Sequence, residues 1–163
     1  MAILKHISVK NRFYSSAVEY LTCQFDEYTN KPVLDEKGRI QERENYLIVG
    51  VNCDVDSFGA ECIEVNRLYG KNNSVKDVKA HHYIISFEPN DPITIEQALE
   101  FGKQWLSVFA PGHQAVVAVH PDGHNGSQNM HVHMVINSVR KYAGKQSRWH
   151  EKPCEWKLGC KHK

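Results

Sequence analysis

Two histidines separated by a single residue, His131 and His133, are the strongest candidates for chemistry in this sequence. Alternate residues of a β-strand point to the same face, so the two imidazoles would project together, about 6–7 Å apart along the backbone. Val132, Met134 and Ile136 alternate with them and would point into a hydrophobic core. Two imidazoles on one face of a strand that is backed by a core are the arrangement that a rigid metal site requires.

A third ligand is expected from the neighbouring strand. His120 ends the preceding strand-like segment, and the turn after it would bring the chain back beside His131. His124 is the alternative, but it lies in the loop, and we favour His120 because a strand holds a ligand more rigidly than a loop does. Three histidines leave coordination positions open, as a catalytic ion needs. Asp122 would orient one of the imidazoles from behind.

The segments around these histidines predict an α+β fold. The predicted strands are residues 3–9, 46–51, 82–87, 115–120 and 130–139. The predicted helices begin after a cap at Ser15 or Ser16, after a cap at Asp54 or Ser57, and after Thr94, which starts the most regular helix. A loop with Asp-Gly and Asn-Gly joins the last two strands, which indicates a mostly antiparallel central sheet flanked by helices.

Composition narrows the class of protein. The chain has 163 residues, of which 41% are hydrophobic and 24% charged, as is typical of one globular domain. It has no apolar run of the ~18 residues that a membrane span needs and no signal-peptide pattern at its start, so a cytoplasmic protein is expected.

Five cysteines at irregular spacing argue against a disulfide framework. Cys154, Cys160 and His162 lack a fourth ligand at a usual zinc spacing, so free thiols are expected.

Positive charge is concentrated at the end of the chain. The net charge is only +1, yet residues 140–163 carry eight Lys and Arg against two Glu. Such a basic segment beside a near-neutral body is suited to holding phosphates. The candidates for phosphate contacts are Arg140, Lys141, Lys145 and Arg148, and those for stacking on bases are Trp149 and Trp156.

The histidine segment also resembles a known family. His120-Pro121-Asp122 followed by HVHMVIN at 131–137 is similar to the HxD…HxHxxxN motif of HUH-type relaxases, the mobilisation nucleases of plasmids and integrative conjugative elements. Three further segments match that family in order: SAVEYL at 16–21, VNCD at 51–54, and HYIISFEPND at 82–91. The resemblance covers most of residues 3–140. Two departures are a longer loop between the histidine motifs and Asp91 in place of a more common glutamate.

This resemblance implies a catalytic domain at residues 1–140, with residues 141–163 as a basic tail that begins a longer C-terminal region. It implies that the histidine pair lies on a central strand of the sheet. It also implies a tyrosine nucleophile, transferred here to Tyr20, with Tyr14 and Tyr28 as nearby alternatives. Asp91 or Asp122 would assist proton transfer or orient a ligand.

The implied reaction is metal-dependent nicking and rejoining of one DNA strand during conjugative mobilisation. The products would be a 5′-phosphotyrosine and a free 3′-OH, and the substrate would be single-stranded DNA at an origin of transfer, with accessory relaxosome proteins as partners. Mg²⁺ or Mn²⁺ is the ion that the resemblance implies, although three imidazoles by themselves favour zinc, nickel or cobalt.

Two other functions are compatible with parts of the sequence. HVHMV at 131–135 resembles the core of histidine-triad nucleotide hydrolases, but Val135 stands where a third alternating histidine is needed. A non-catalytic DNA-binding module with a structural metal would also use clustered histidines and a basic tail. Formation of a covalent adduct with DNA separates a relaxase from both alternatives.

Overall fold

The architecture is given by a computed structural model. It describes residues 2–10, 14–26, 28, 29, 31–121 and 129–142. Along the chain the elements are β1 (Ile3–Val9), α1 (Ser15–Thr22), β2 (Leu47–Val51), α2 (Phe58–Leu68), β3 (Ala80–Ser86), α3 (Ile95–Phe109), β4 (His113–His120) and β5 (His131–Arg140). Within the described ranges, no helix has the length and apolar character needed to cross a membrane.

The five strands of the described residues form one antiparallel sheet in the order β1-β3-β5-β4-β2. β5 lies at the centre, between β3 and β4, and nearly all of β4 and β5 is buried. This agrees with the predicted α+β class and with the mostly antiparallel sheet. The central position of β5 gives the histidines that it carries a rigid support on both sides.

Helix α3 covers one face of the sheet. Its start is fixed by a capping box, in which the Thr94 side chain accepts from the Gln97 N–H and the Gln97 side chain accepts from the Thr94 N–H. Gly102 lies where the helix meets the sheet, and a Cβ there would be 2.8 Å from Val132 Cγ1 and 2.9 Å from Val117 Cγ1. The glycine therefore allows the helix to lie close against β4 and β5.

Helices α1 and α2 pack on the opposite face, which is also the face of the histidines. Leu21 of α1 and Phe58 and Cys62 of α2 form a buried cluster with Val116 of β4 and Val135 of β5. This second core lies directly beside the histidines, so α2 and the sheet together hold α1 in place over that part of the sheet.

The start of α1 differs from the prediction. Ser15 is already the first helical residue, and the cap position belongs to Tyr14, which makes no side-chain capping hydrogen bond. The expectation that Ser15 or Ser16 caps the helix was therefore wrong. The reason is that Tyr14 is buried, with 2% exposed, so packing of its ring rather than a serine hydroxyl determines where the helix begins.

Candidate active site

The three histidines predicted as ligands lie together at one end of the sheet. The register of the central strands pairs His131 with His120 on β4 and with Ser86 on β3. His133 follows two residues later on the same face of β5. The ring centroids of His120 and His133 are 4.5 Å apart, and those of His131 and His133 are 6.2 Å apart.

A fourth histidine, His82 on β3, joins this group but is not among the residues predicted for the site. Its Nε2 lies 3.0 Å from His133 Nδ1, and the two ring centroids are 5.2 Å apart. Both side chains are buried, with 7% of His82 and 1% of His133 exposed. The sequence offers one signal for it. His82 and Ser86 are four residues apart on a predicted strand, so their side chains are expected on the same face.

Ser86 gives His131 a comparable partner. The Ser86 hydroxyl lies 2.7 Å from His131 Nδ1, a short hydrogen bond between directly paired residues. Strand β3 therefore supplies a hydrogen-bonding group to the Nδ1 atom of both His131 and His133. Such contacts fix the orientation of an imidazole ring.

His120 is held differently, by helix α1. Its Nε2 lies 2.7 Å from the Leu21 carbonyl oxygen and donates to it, since a carbonyl oxygen only accepts. Among the described residues, no group of three or more His, Cys, Asp or Glu is arranged as a ready metal site. The bond of His120 to α1 accounts for this in part, because that nitrogen is directed at the helix.

Burial keeps the central imidazoles neutral. The pKa of His133 lies well below its usual value, chiefly because of burial, with smaller effects from the neighbouring histidines and from Arg43. Burial lowers the pKa of His82 to about 4, and the charge of Lys5 acts in the same direction. A neutral imidazole keeps the lone pair that a metal ligand needs.

One atom of this group fits a bound cation. Within the described part of the chain, His133 Nε2 is buried and makes no hydrogen bond. Buried polar atoms are nearly always hydrogen-bonded, so an exception points to a missing ion, water or other group. The donor set, with at least three neighbouring imidazoles, is also suited to a divalent ion.

Tyr20 projects from α1 toward the histidines. Its ring is half-buried, and its centroid lies 6.0 Å from that of His82 and 6.4 Å from that of His133, edge-on to both. Phe25 packs on it with a centroid distance of 5.3 Å. The tyrosine predicted as nucleophile is therefore in contact with the histidine group.

The two alternative tyrosines lie in very different surroundings. The Tyr14 hydroxyl accepts from Asn66 at 2.6 Å and lies within hydrogen-bonding distance of the Lys79 carbonyl and the Asn137 side chain, at 3.1 and 3.2 Å. Burial raises its pKa to about 12. Tyr28 is 93% exposed.

Of the carboxylates predicted to assist, only Asp91 lies within the described residues. Its Oδ2 accepts from the Glu88 N–H at 3.1 Å, while its own N–H donates to the Glu88 carbonyl, so the side chain closes a local turn. None of its described contacts is with a histidine. Asp122 and the alternative ligand His124 lie outside the described residues.

The predicted phosphate contacts that are described lie at the other end of β5. Arg140 is nine residues from His131, about 30 Å along the strand, and it is buried, with Nε donating to the Tyr142 carbonyl. Lys141 pairs with Glu61 at 3.5 Å and donates to the Asn52 carbonyl. Lys145, Arg148, Trp149 and Trp156 lie outside the described residues.

Two other basic residues lie nearer the histidines. Arg43 is close enough for its charge to lower the pKa of His133, and its Nε donates to the Cys23 carbonyl at 3.1 Å, just after α1. Lys5, on the edge strand β1, is exposed and acts on His82. Nothing in their local sequence distinguishes them, because only the folded chain brings them to the site.

Comparison with known proteins gives a consistent result. A family model described as "Relaxase: MobA/VirD2-like, nuclease domain" matches residues 28–158. Protein rlx of Staphylococcus aureus is 37% identical over 97 residues, which are 60% of this chain and 28% of that protein. The group II intron-interrupted relaxase LtrB of Lactococcus lactis subsp. cremoris is 40% identical over 99 residues, 60% of this chain and 15% of that protein. The family is the one that the motifs indicated, and the chain spans less than a third of these relatives.

Proposed function

Since the chain belongs to the relaxase family, as a MobA/VirD2-like nuclease domain, we propose that it nicks one DNA strand and rejoins it through a phosphotyrosyl intermediate during conjugative mobilisation. The observation that carries this proposal is the contact of Tyr20 with His82 and His133. It places a phenol beside neutral imidazoles that are suited to hold a cation.

Tyr20 is the nucleophile in this proposal. Its phenolic oxygen attacks the phosphorus of the scissile phosphodiester and loses its proton as the new O–P bond forms. The bond from phosphorus to the 3′ oxygen breaks, and that oxygen takes up a proton to become a free 3′-OH. The 5′-phosphotyrosine keeps a phosphodiester bond, so attack by the 3′-OH restores the strand without an external energy source.

The surroundings of Tyr14 and Tyr28 favour Tyr20 as the nucleophile. Tyr14 is enclosed between α1, α2 and the sheet, with its hydroxyl already bonded to Asn66. Tyr28 is exposed, and its backbone N–H donates to Asp26 in a local turn. Neither ring is in a described contact with the histidines.

His131 and His133, with His120 as the third ligand, would hold a divalent cation, for which Mg²⁺ or Mn²⁺ is proposed. When bound, such an ion neutralises negative charge on a non-bridging phosphate oxygen. Since His120 Nε2 donates to the Leu21 carbonyl, His120 would bind through Nδ1 or after exchanging that hydrogen bond. His124 remains the alternative third ligand.

The proposed substrate is single-stranded DNA at an origin of transfer, with relaxosome proteins as partners. Arg43 and Lys5 border the histidines and are suited to phosphates near the cleaved bond. Arg140, Lys141, Lys145 and Arg148 would contact phosphates further along the DNA strand. Asp91 or Asp122 would assist proton transfer or orient a ligand. A histidine-triad hydrolase is disfavoured, since Val135 packs in the hydrophobic cluster under α1 and α2.

The test is formation of a covalent DNA adduct. The chain is incubated with Mn²⁺ and single-stranded oligonucleotides that tile the DNA flanking its own reading frame, and adducts are detected as bands that resist denaturing electrophoresis. We expect one oligonucleotide to give an adduct, and we expect Tyr20→Phe or a chelator to abolish it. Tyr28→Phe is the matched control, because it removes a hydroxyl from the same region without touching the histidines.

Three other outcomes would overturn the proposal. Cleavage without an adduct indicates a hydrolase, and binding without cleavage indicates a DNA-binding module. An adduct that survives Tyr20→Phe and is lost in a folded Tyr14→Phe or Tyr28→Phe variant assigns the nucleophile to another tyrosine.

A further inference from the structure

The two ring nitrogens of His133 have contrasting surroundings. Nδ1 lies 3.0 Å from His82 Nε2, and this contact is buried. Nε2 is buried as well but makes no hydrogen bond within the described part of the chain. A neutral imidazole carries one proton, so the position of that proton decides what Nε2 can do.

Two arrangements satisfy the hydrogen bond between the rings. If His133 carries its proton on Nδ1 and donates to His82, then His133 Nε2 keeps a lone pair that a cation accepts. If His82 donates instead, His133 carries an N–H on Nε2. That N–H would be buried without an acceptor and would block coordination at the same atom.

We propose that His82 is a positioning residue, which accepts a hydrogen bond from His133 Nδ1 and so keeps the Nε2 lone pair available for the cation. This inference rests on the proposed function, because it takes His133 as a ligand. It adds a role for a residue on β3 that neither touches the DNA phosphate nor coordinates the ion.

The position of His82 on the sheet supports this role. β3 is hydrogen-bonded to β1 on one side and to β5 on the other, so the backbone under the ring is fixed. Ser86 on the same strand makes the corresponding contact with His131 Nδ1 at 2.7 Å. One strand thus holds both rings of the HxH pair from the Nδ1 side, an arrangement that often accompanies histidine ligands.

The experiment compares four variants of the full chain. His82→Leu removes the acceptor and keeps an apolar side chain, while His82→Gln retains an oxygen that accepts. The controls are His81→Leu and His81→Gln, because His81 neighbours His82 on the same strand but contacts His6 on the opposite face. Circular dichroism and thermal unfolding show whether each variant is folded.

Two readouts are used, and neither requires DNA or attack by Tyr20. A proton–nitrogen correlation spectrum of the metal-free chain reports which nitrogen of His133 is protonated, with the signal assigned by its loss in His133→Ala. Titration calorimetry with Mn²⁺ reports the dissociation constant. We expect His133 to be protonated on Nδ1 in the unaltered chain, and we expect His82→Leu to weaken Mn²⁺ binding by about 10- to 100-fold.

We expect His82→Gln to lose less affinity than His82→Leu, and the His81 variants to bind as the unaltered chain does. The proposal is overturned by a proton on His133 Nε2 in the unaltered chain, or by an affinity for Mn²⁺ in folded His82→Leu that is unchanged. It is also overturned by equal losses in His82→Leu and His82→Gln, which would assign the effect to packing.

The result is distinguishable from failure of the proposed function. If the unaltered chain binds Mn²⁺ in a His82-dependent way but forms no DNA adduct, this inference stands and the nicking proposal fails. If the adduct forms and the affinity for Mn²⁺ is the same in the His82 variants as in the unaltered chain, the nicking proposal stands and this inference fails. Absence of Mn²⁺ binding to the unaltered chain overturns both the cation site and the role of His82.

Discussion

Tyr14 and Tyr20 belong to the same short segment, yet their side chains differ in burial and in partners. Tyr14 is 2% exposed and bonded to Asn66, whereas Tyr20 is half-buried against two histidines. A phenol enclosed by hydrogen-bonding partners contributes to stability, and one at the edge of a polar cluster is available for reaction. These surroundings support a structural role for Tyr14 and are compatible with the nucleophile proposed at Tyr20.

Replacing Tyr14 tests its structural role. Tyr14→Phe leaves the amide of Asn66 without its acceptor, and an unsatisfied buried group costs about 1–3 kcal/mol. We expect the free energy of unfolding in urea to fall by about that amount, and the adduct yield of the folded variant to be unchanged. Tyr28→Phe is the control and should alter stability by less than about 0.5 kcal/mol. Equal stability of the two variants would contradict the role assigned to Tyr14.

For individual residues, the sequence predicts part of the site. The spacing of His131 and His133 already places both rings on one side of a strand, because side chains alternate. The contacts of His82 and Ser86 with these rings could not be predicted, since they depend on the register between β3 and β5, and the contacting residues lie 51 and 45 positions apart in the chain. Arg43 could not be predicted either, because its contact with the Cys23 carbonyl depends on how the segment after α1 folds back on the helix.

Helix α3 is the element that the sequence predicts best. Its packing against the sheet also depends on one small residue, Gly102. Thr94, the predicted start of this helix, caps it and forms a capping box with Gln97. The close approach of Gly102 to Val117 and Val132 has no local signature, because it depends on which strands lie under the helix. Local hydrogen bonding is thus readable from sequence, while packing distance is not.

Gly102→Ala tests that packing. Overfilling a core costs about 1–3 kcal/mol, and the better helix propensity of alanine returns at most about 1 kcal/mol. We expect a net loss of up to about 2 kcal/mol in urea unfolding, because the new methyl group would lie under 3 Å from Val117 and Val132. Lys103→Ala, on the exposed side of the same turn, should have little effect. A more stable Gly102→Ala variant would show that the space between α3 and the two valines can hold a methyl group.

For the molecule as a whole, we expect a loss of stability at high pH, because burial raises the pKa of a thiol and of a phenol. Burial raises the pKa of Cys53 to about 11 from 9.0, and that of Tyr14 to about 12 from 10.0. Between each pair of values the unfolded chain has lost a proton that the folded chain retains. Stability therefore falls as pH rises through these windows.

This is checked by urea unfolding of the metal-free chain at about pH 8 and about pH 11. We expect lower stability at the higher pH, and a smaller difference in Cys53→Ala, which lacks the thiol that releases its proton on unfolding. A pH dependence that is identical in the unaltered chain and in Cys53→Ala would exclude that thiol as a source.

The class of the fold was predictable, but the order of its strands was not. Alternating apolar patterns and a helix between strands indicate α+β, and they say nothing about which strands become neighbours. That β1 pairs with β3, and β2 with β4, follows from long-range packing on both faces. The central position of β5 was expected from family resemblance alone.

The strand order β1-β3-β5-β4-β2 has a consequence for how the protein is made. The two strands that emerge first from the ribosome, β1 and β2, end up on opposite margins, while the middle of the sheet is synthesised last. A nascent chain that stops before β5 lacks the strand on which its two halves meet. We therefore expect the sheet to reach its final arrangement only after synthesis has passed that strand.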